Sequence, residues 1–231
     1  MHAKLQHSKD LLQKIESDYA PNLVFACSFG AEDVVLVDLI SRYAPKINII
    51  TLDTGRLHQQ TYDVMDACRQ KYGIEIKVCF PDTQEVESML TTHGANLFYS
   101  SIENRKMCCA VRKVHVLKKV LKNQQAWVTG VRRDQASSRQ EMQEIEDDQA
   151  FGIKKANPLL AWSEKNIWQY IEENDVPCNA LHAQGFPSIG CEPCTRAITV
   201  GEDPRSGRWW WEQEDAVAEC GLHASPLNMN K

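Results

Sequence analysis

Apolar and polar positions alternate in blocks over the first 130 residues of the chain. NLVFACSF (22–29) is a continuous apolar run of strand length, and INIITLD (47–53) a second, rich in β-branched residues. IEIKVCF (74–80) and AWVTGV (126–131) read as two further strands. Between them the apolar spacing becomes helical. AEDVVLVDLISRYA (31–44) offers Val34, Val35, Val37, Leu39 and Ile40 to a core. Residues 58–72 fit a helix, 83–94 a short helix closed by Gly94, and 107–122 another. The N-terminal stretch is polar but helical in period, with Leu5, Leu11, Leu12 and Ile15 on its apolar stripe. Strands separated by helices predict right-handed crossovers and an α/β fold built on a mainly parallel, twisted, helix-flanked sheet. Past Val131 the pattern loosens. Residues 132–150 read as a polar loop, and 163–174 as a short helix capped by Ser163. Beyond Pro177 the chain turns rich in Gly, Pro and Cys, and no internal repeat is present.

At 231 residues the chain suits one domain with an appended segment. The expected division is a single α/β nucleotide-binding domain over 1–208 and a flexible C-terminal tail over 209–231. No signal-peptide pattern and no apolar run near the roughly 20 residues of a membrane span is visible, so a cytoplasmic protein with no membrane partner is expected. A net charge of −5 argues against non-specific nucleic-acid binding. Nine cysteines change the picture. The number is odd and the expected compartment keeps thiols reduced, which favours metal ligation or thiol chemistry over a disulfide framework.

Candidate chemistry collects where open α/β sheets bind ligands, beyond the carboxyl ends of the strands. Ser28-Phe29-Gly30-Ala31 joins the first strand to a helix N-terminus, which offers N–H groups and a positive dipole to an anion. Asp53-Thr54-Gly55-Arg56 follows the second strand, and Gly130-Val131-Arg132-Arg133 a later one. Each alone is more often a plain connection; three together point to a nucleotide cradle. Neither a P-loop nor a G-x-G-x-x-G motif occurs. Residues 104–133 hold no acid and nine Lys or Arg, among them Arg112 and Lys113, which suggests an anionic ligand of limited size. Cys108-Cys109 and the pair Cys191-x-x-Cys194 supply four thiolates, a set that suits a tetrahedral zinc or an iron–sulfur cluster. Adjacent ligands are unusual for structural zinc. Cys27, Cys68 and Cys79 sit in apolar patterns and read as small hydrophobes.

Eight segments together resemble the assimilatory adenylyl-sulfate (APS) reductase branch of the APS/PAPS reductase family: SFGAEDVV, LDTGR, RKMCCAVRKV, VTGVRRDQ, NPLLAWSEKNIW, PSIGCEPCTR, GEDPRSGRWWWE and ECGLH. They span nearly the whole chain in family order. The resemblance implies an adenine-nucleotide-hydrolase-like fold of the PP-loop type and a 4Fe-4S cluster on Cys108, Cys109, Cys191 and Cys194. It implies Cys220 as nucleophile, Lys113 between cluster and substrate, and Arg205 and Arg208 at the substrate's sulfate and phosphate. Ser28, Phe29, Gly30, Asp53, Thr54, Gly55, Gly130 and Arg132 are the expected nucleotide contacts. The implied reaction takes APS to sulfite and AMP through an enzyme S-sulfocysteine, with thioredoxin as electron donor, in sulfate assimilation and cysteine biosynthesis. The first loop departs from the SGGxDS of ATP-cleaving relatives, which fits a cradle that does not adenylate. PAPS, or both nucleotides, is the alternative substrate reading. A tRNA-thiolating PP-loop enzyme and a zinc-stabilised nucleic-acid-binding module fit the residues less well. The sequence leaves open whether the chain forms a homo-oligomer.

Overall fold

The computed structural model describes residues 1–135 and 139–212. In chain order the elements are α1 (His2–Tyr19), β1 (Leu23–Ala26), α2 (Ala31–Tyr43), β2 (Asn48–Leu52), α3 (Gln59–Tyr72) and β3 (Ile76–Cys79). There follow α4 (Thr83–His93), α5 (Ile102–Cys109), a π-helical turn (Ala110–Val114), α6 (His115–Leu121), β4 (Ala126–Val128), β5 (Ile145–Asp148), β6 (Ile153–Ala156) and α7 (Glu164–Glu173). The strands form one six-stranded sheet in the order β3-β2-β1-β4-β6-β5. β1 pairs in parallel with β2 and β4, β4 pairs in parallel with β6, and β5 is antiparallel to β6. This is the mainly parallel, helix-flanked sheet that the alternation predicts. Among the described residues no helix is long and apolar enough to cross a membrane.

The chain folds as two compact units. The first comprises 1–51, 59–77 and 121–180. Its core is one cluster in which Leu12, Phe25, Leu36, Leu39 and Val128 are fully sequestered, and α2 packs against α1, α3 and α7. Asp38 on α2 is buried within it. It accepts the Tyr170 hydroxyl at 2.6 Å and pairs with Arg42 at 2.9 Å, so its charge is met from both sides. Ser163 caps α7 in a reciprocal capping box with Asn166, as the sequence predicts.

The stretch 132–150 is not all loop, because it contains β5. Neither β5 (IEDD) nor β6 (IKKA) shows a continuous apolar pattern, because their central positions carry cross-strand charge pairs. Glu146 stands opposite Lys155 and Asp147 opposite Lys154, with ion pairs of 3.1 and 2.7 Å. Cross-strand pairs of this kind stabilise a sheet edge, and their polarity hides it from a hydrophobicity reading.

The second unit comprises 52–58, 78–120 and, among the described residues, 181–212. The predicted helix over 107–122 is longer here and divided. It starts at Ile102 because the Ser101 hydroxyl accepts the Asn104 N–H at 3.1 Å, and the π-helical turn interrupts it after Cys109. A small core of Met89, Leu97, Phe98, Cys194 and Trp209 organises this unit.

Candidate active site

In the second unit, Cys108 and Cys109 end α5, and Cys194 closes a 3₁₀ turn that begins just after Cys191. All four cysteines line one cavity of about 320 Å³ of non-atom space, part of it open solvent. Arg112 and Lys113 line it too, displayed by the π-helical turn that directly follows the cysteine pair. Such turns break helical register and recur at functional sites. Arg56 and Arg105 complete its cationic wall.

The LDTGR segment is wired to the C-x-x-C. Asp53 Oδ1 accepts the Gly55 N–H at 2.7 Å, turning the chain where Gly55 has φ +70°. Arg112 donates to the Thr54 carbonyl at 2.5 Å. The Thr54 hydroxyl lies 3.2 Å from Cys191 Sγ, the Glu192 N–H donates to the Arg56 carbonyl at 2.8 Å, and Leu57 pairs with Cys191. Beyond the cysteines, Arg208 donates to the Ser188 hydroxyl and the Ile189 carbonyl, both at 3.3 Å. A Cβ at Gly190 would overlap the Arg208 guanidinium, so a larger residue there would have to displace that side chain.

The thiols respond differently to this setting. Burial pushes Cys191 up, but Lys113, the Thr54 hydroxyl and Arg208 outweigh it, and the net shift is downward. Burial raises Cys108, with Arg112 opposing. Cys194 is pushed up to about 12 by burial and by Cys191 and Cys109. Mutual repulsion among thiolates means that the set is not stable fully ionised without a bound cation. Among the described residues no group of three or more His, Cys, Asp or Glu is arranged to hold a metal ion. A zinc would need its sulfurs gathered about 2.3 Å from one point.

The first unit carries the other anion-binding candidate. Phe29 is buried and adopts a left-handed φ of +59°, a conformation open at little cost only to glycine. Gly30 caps α2. Ser28 donates through its N–H and its hydroxyl to Asp33 Oδ2 at 2.5 and 2.6 Å, which pins the loop to the first turn of α2. Burial pushes the Asp33 carboxyl up to about 6 against the pull of those two bonds. Arg132 donates to Glu32 at 2.8 Å and pairs with Asp134.

Residues 22–197 match the family model described as phosphoadenosine phosphosulfate reductase domain. The chain belongs to that family. It is 47% identical over 225 residues to an adenosine 5'-phosphosulfate reductase of Burkholderia cepacia, covering 97% of this chain and 89% of that one. It is 48% identical over 202 residues to the corresponding reductase of Allochromatium vinosum, covering 87% and 78%. Among solved structures, the phosphoadenylyl-sulfate (PAPS) reductase of Candida auris in its phosphate complex superposes with a TM-score of 0.71 at 29% identity, over 83% of this chain and 90% of that one. An FMN adenylyltransferase of Candida glabrata, at 17% identity and a TM-score of 0.58 over 82% and 60%, shares the fold.

Against this family background the expected residues fall into groups. Cys108, Cys109, Cys191, Cys194 and Lys113 meet at one cavity; Asp53, Thr54 and Gly55 belong to the same unit, with Thr54 in contact with Cys191. Arg208 lowers the pKa of Cys191 through its charge, and neither Arg208 nor Arg205 is among the residues lining the cavity. Ser28, Phe29, Gly30, Gly130 and Arg132 belong to the first unit, where Arg132 is engaged by carboxylates. Cys220 lies outside the described residues. Sequence reasoning missed Asp33, whose only local signal is an acid in the first turn of a helix. It is also what fixes Gly130: a Cβ there would overlap Asp33 Oδ1 and come within 3.2 Å of Glu32 Cβ. Gly130→Ala is therefore expected to lower stability by about 1–3 kcal/mol, read as a lower urea midpoint at unchanged slope. An unchanged midpoint would show that the loop has room to move.

Proposed function

We propose that the chain, an oxidoreductase acting on sulfur, reduces adenosine 5'-phosphosulfate to sulfite and AMP with a thioredoxin-type dithiol as reductant. The observation that carries this reading is a cavity lined by four thiols and Lys113 in a chain so similar to APS reductases. Cys220 is the proposed nucleophile. Its thiolate attacks the sulfonate sulfur, an S–S bond forms, the bond from sulfur to the phosphate oxygen breaks, and AMP leaves. One thiol of the reductant then attacks Cys220 Sγ and expels sulfite; its second thiol releases Cys220 and leaves a disulfide. Two electrons pass from dithiol to sulfur. A thiolate approaching an anionic sulfonate needs cations to offset the charge, and Lys113, Arg208 and Arg205 are the proposed suppliers.

Cys108, Cys109, Cys191 and Cys194 would hold a 4Fe-4S cluster. Four thiols lining one cavity match the ligand number of such a cluster, and an adjacent pair like Cys108-Cys109 is unusual for structural zinc. A cluster bound there would supply electrostatic stabilisation to the cationic side chains around it, since the thiol steps already balance in electrons. Ser28, Gly30 and Gly130 are the proposed nucleotide contacts, and the cytoplasm the proposed compartment.

The test is sulfite release from APS and from PAPS by anaerobically purified protein with reduced thioredoxin. Sulfite is expected from APS. Sulfite from PAPS alone would move the substrate to the one named by the Candida auris structure, and none from either would sink the reductase reading.

A further inference from the structure

Arg105 on α5 is among the most deeply buried side chains of the protein, at 1% exposure, one helical turn before Cys108 and Cys109. Its guanidinium fork meets one carboxylate. Nε donates to Glu212 Oε1 at 2.7 Å and Nη2 to Oε2 at 2.8 Å, with the Glu212 side chain itself 6% exposed. Trp209 lies against the same guanidinium, its ring centre 4.5 Å away. The chain between is held at each step: the Trp209 N–H donates to the Cys194 carbonyl at 3.2 Å, the Glu212 N–H to the Trp209 carbonyl at 2.9 Å, and Trp211 Nε1 to the Phe98 carbonyl at 3.1 Å. A buried ion pair adds little stability over an apolar pair of similar volume, but it fixes geometry, and a bidentate fork does so most strictly.

We propose that Arg105 and Glu212 are positioning residues that tie the root of the C-terminal segment to the helix turn bearing Cys108 and Cys109. The inference rests on the proposed role of Cys220. Cys220 is eight positions beyond Glu212, a span of at most about 26–29 Å. Where that eight-residue stretch begins therefore bounds what its thiol can reach. The four-cysteine site and the nucleophile would thus share one frame, with Arg105 as the link.

Glu212→Gln keeps the shape and removes the charge. It is expected to lower kcat for sulfite release by about tenfold to a hundredfold, while KM for APS and iron content stay near wild type. Glu212→Asp, which keeps the charge, should recover part of the loss. Chymotryptic cleavage at Trp209–Trp211 should accelerate in Glu212→Gln whether or not nucleotide is present. Arg105→Lys, which keeps the charge but not the fork, provides a second variant if Glu212→Gln does not fold. Wild-type kcat and wild-type cleavage in folded variants would overturn the proposal, as would kcat, KM and iron content failing together. If the wild type makes no sulfite at all, the reductase reading fails, and the cleavage rates alone still decide whether the anchor exists.

Discussion

Cys220→Ser is expected to release no measurable sulfite from APS while binding AMP as the wild type does. The loss should be on the order of 10⁴- to 10⁶-fold, the scale seen when a covalent nucleophile is removed. A serine hydroxyl is not ionised near neutral pH and is a far weaker nucleophile than a thiolate. Cys27, Cys68 and Cys178 are poor substitutes. Cys27 is fully buried, and burial with the nearby Asp33 carboxylate holds its thiol well above the ordinary range. Cys68 is pushed up to about 12, chiefly by burial. Cys178 is raised for the same reason. Cys108, Cys109, Cys191 and Cys194, the proposed ligands, would be unavailable as nucleophiles while they hold a cluster. The checking measurement is intact mass after one turnover with APS and no reductant. The wild type should gain one sulfonate group, and Cys220→Ser none. A sulfonate on the serine variant would move the nucleophile elsewhere in the chain.

How much of this was legible in the sequence follows from what each element uses to hold itself. β1, β2 and β4 are buried on both faces, so their apolar runs announce them, and the ends move by only a few residues. β5 and β6 stay hidden because their middle positions carry the cross-strand pairs Glu146–Lys155 and Asp147–Lys154, leaving only end residues such as Ile145 and Ala156 to the core. The cysteine pairs are legible because adjacent thiols and a C-x-x-C have few other uses. Their surroundings are not. The π-helical turn that displays Arg112 and Lys113 has no composition of its own. Arg105 and Glu212 are 107 residues apart, and nothing local marks either as buried. Gly130 and Asp33 explain each other only in three dimensions. Local signals give elements and reactive groups; long-range pairing decides which of those groups share a frame.

Within the same frame, Cys191 is the ligand candidate whose thiol is shifted downward, by Lys113, Thr54 and Arg208. Cys191→Ser is expected to leave the protein folded but without iron or acid-labile sulfide, and without sulfite release. The fold should persist because the serine hydroxyl can still meet the Thr54 hydroxyl, and because the backbone ties to Leu57 and from Glu192 to Arg56 do not involve the side chain. The cluster should not persist. Cys191 is the thiol on which Lys113, Thr54 and Arg208 converge, so its loss removes both a ligand and the anionic partner of those cations. Ligand loss commonly weakens metal binding by at least the 10–100-fold seen for outer-shell partners alone. Metal analysis of the wild type sets the reference. Iron with matching sulfide supports the cluster, whereas zinc in its place would remove it and leave the thiol chemistry of Cys220 intact. A Cys191→Ser protein that keeps full iron and full sulfite release would show that this thiol is not a ligand, and would return the four-cysteine cavity to a packing role.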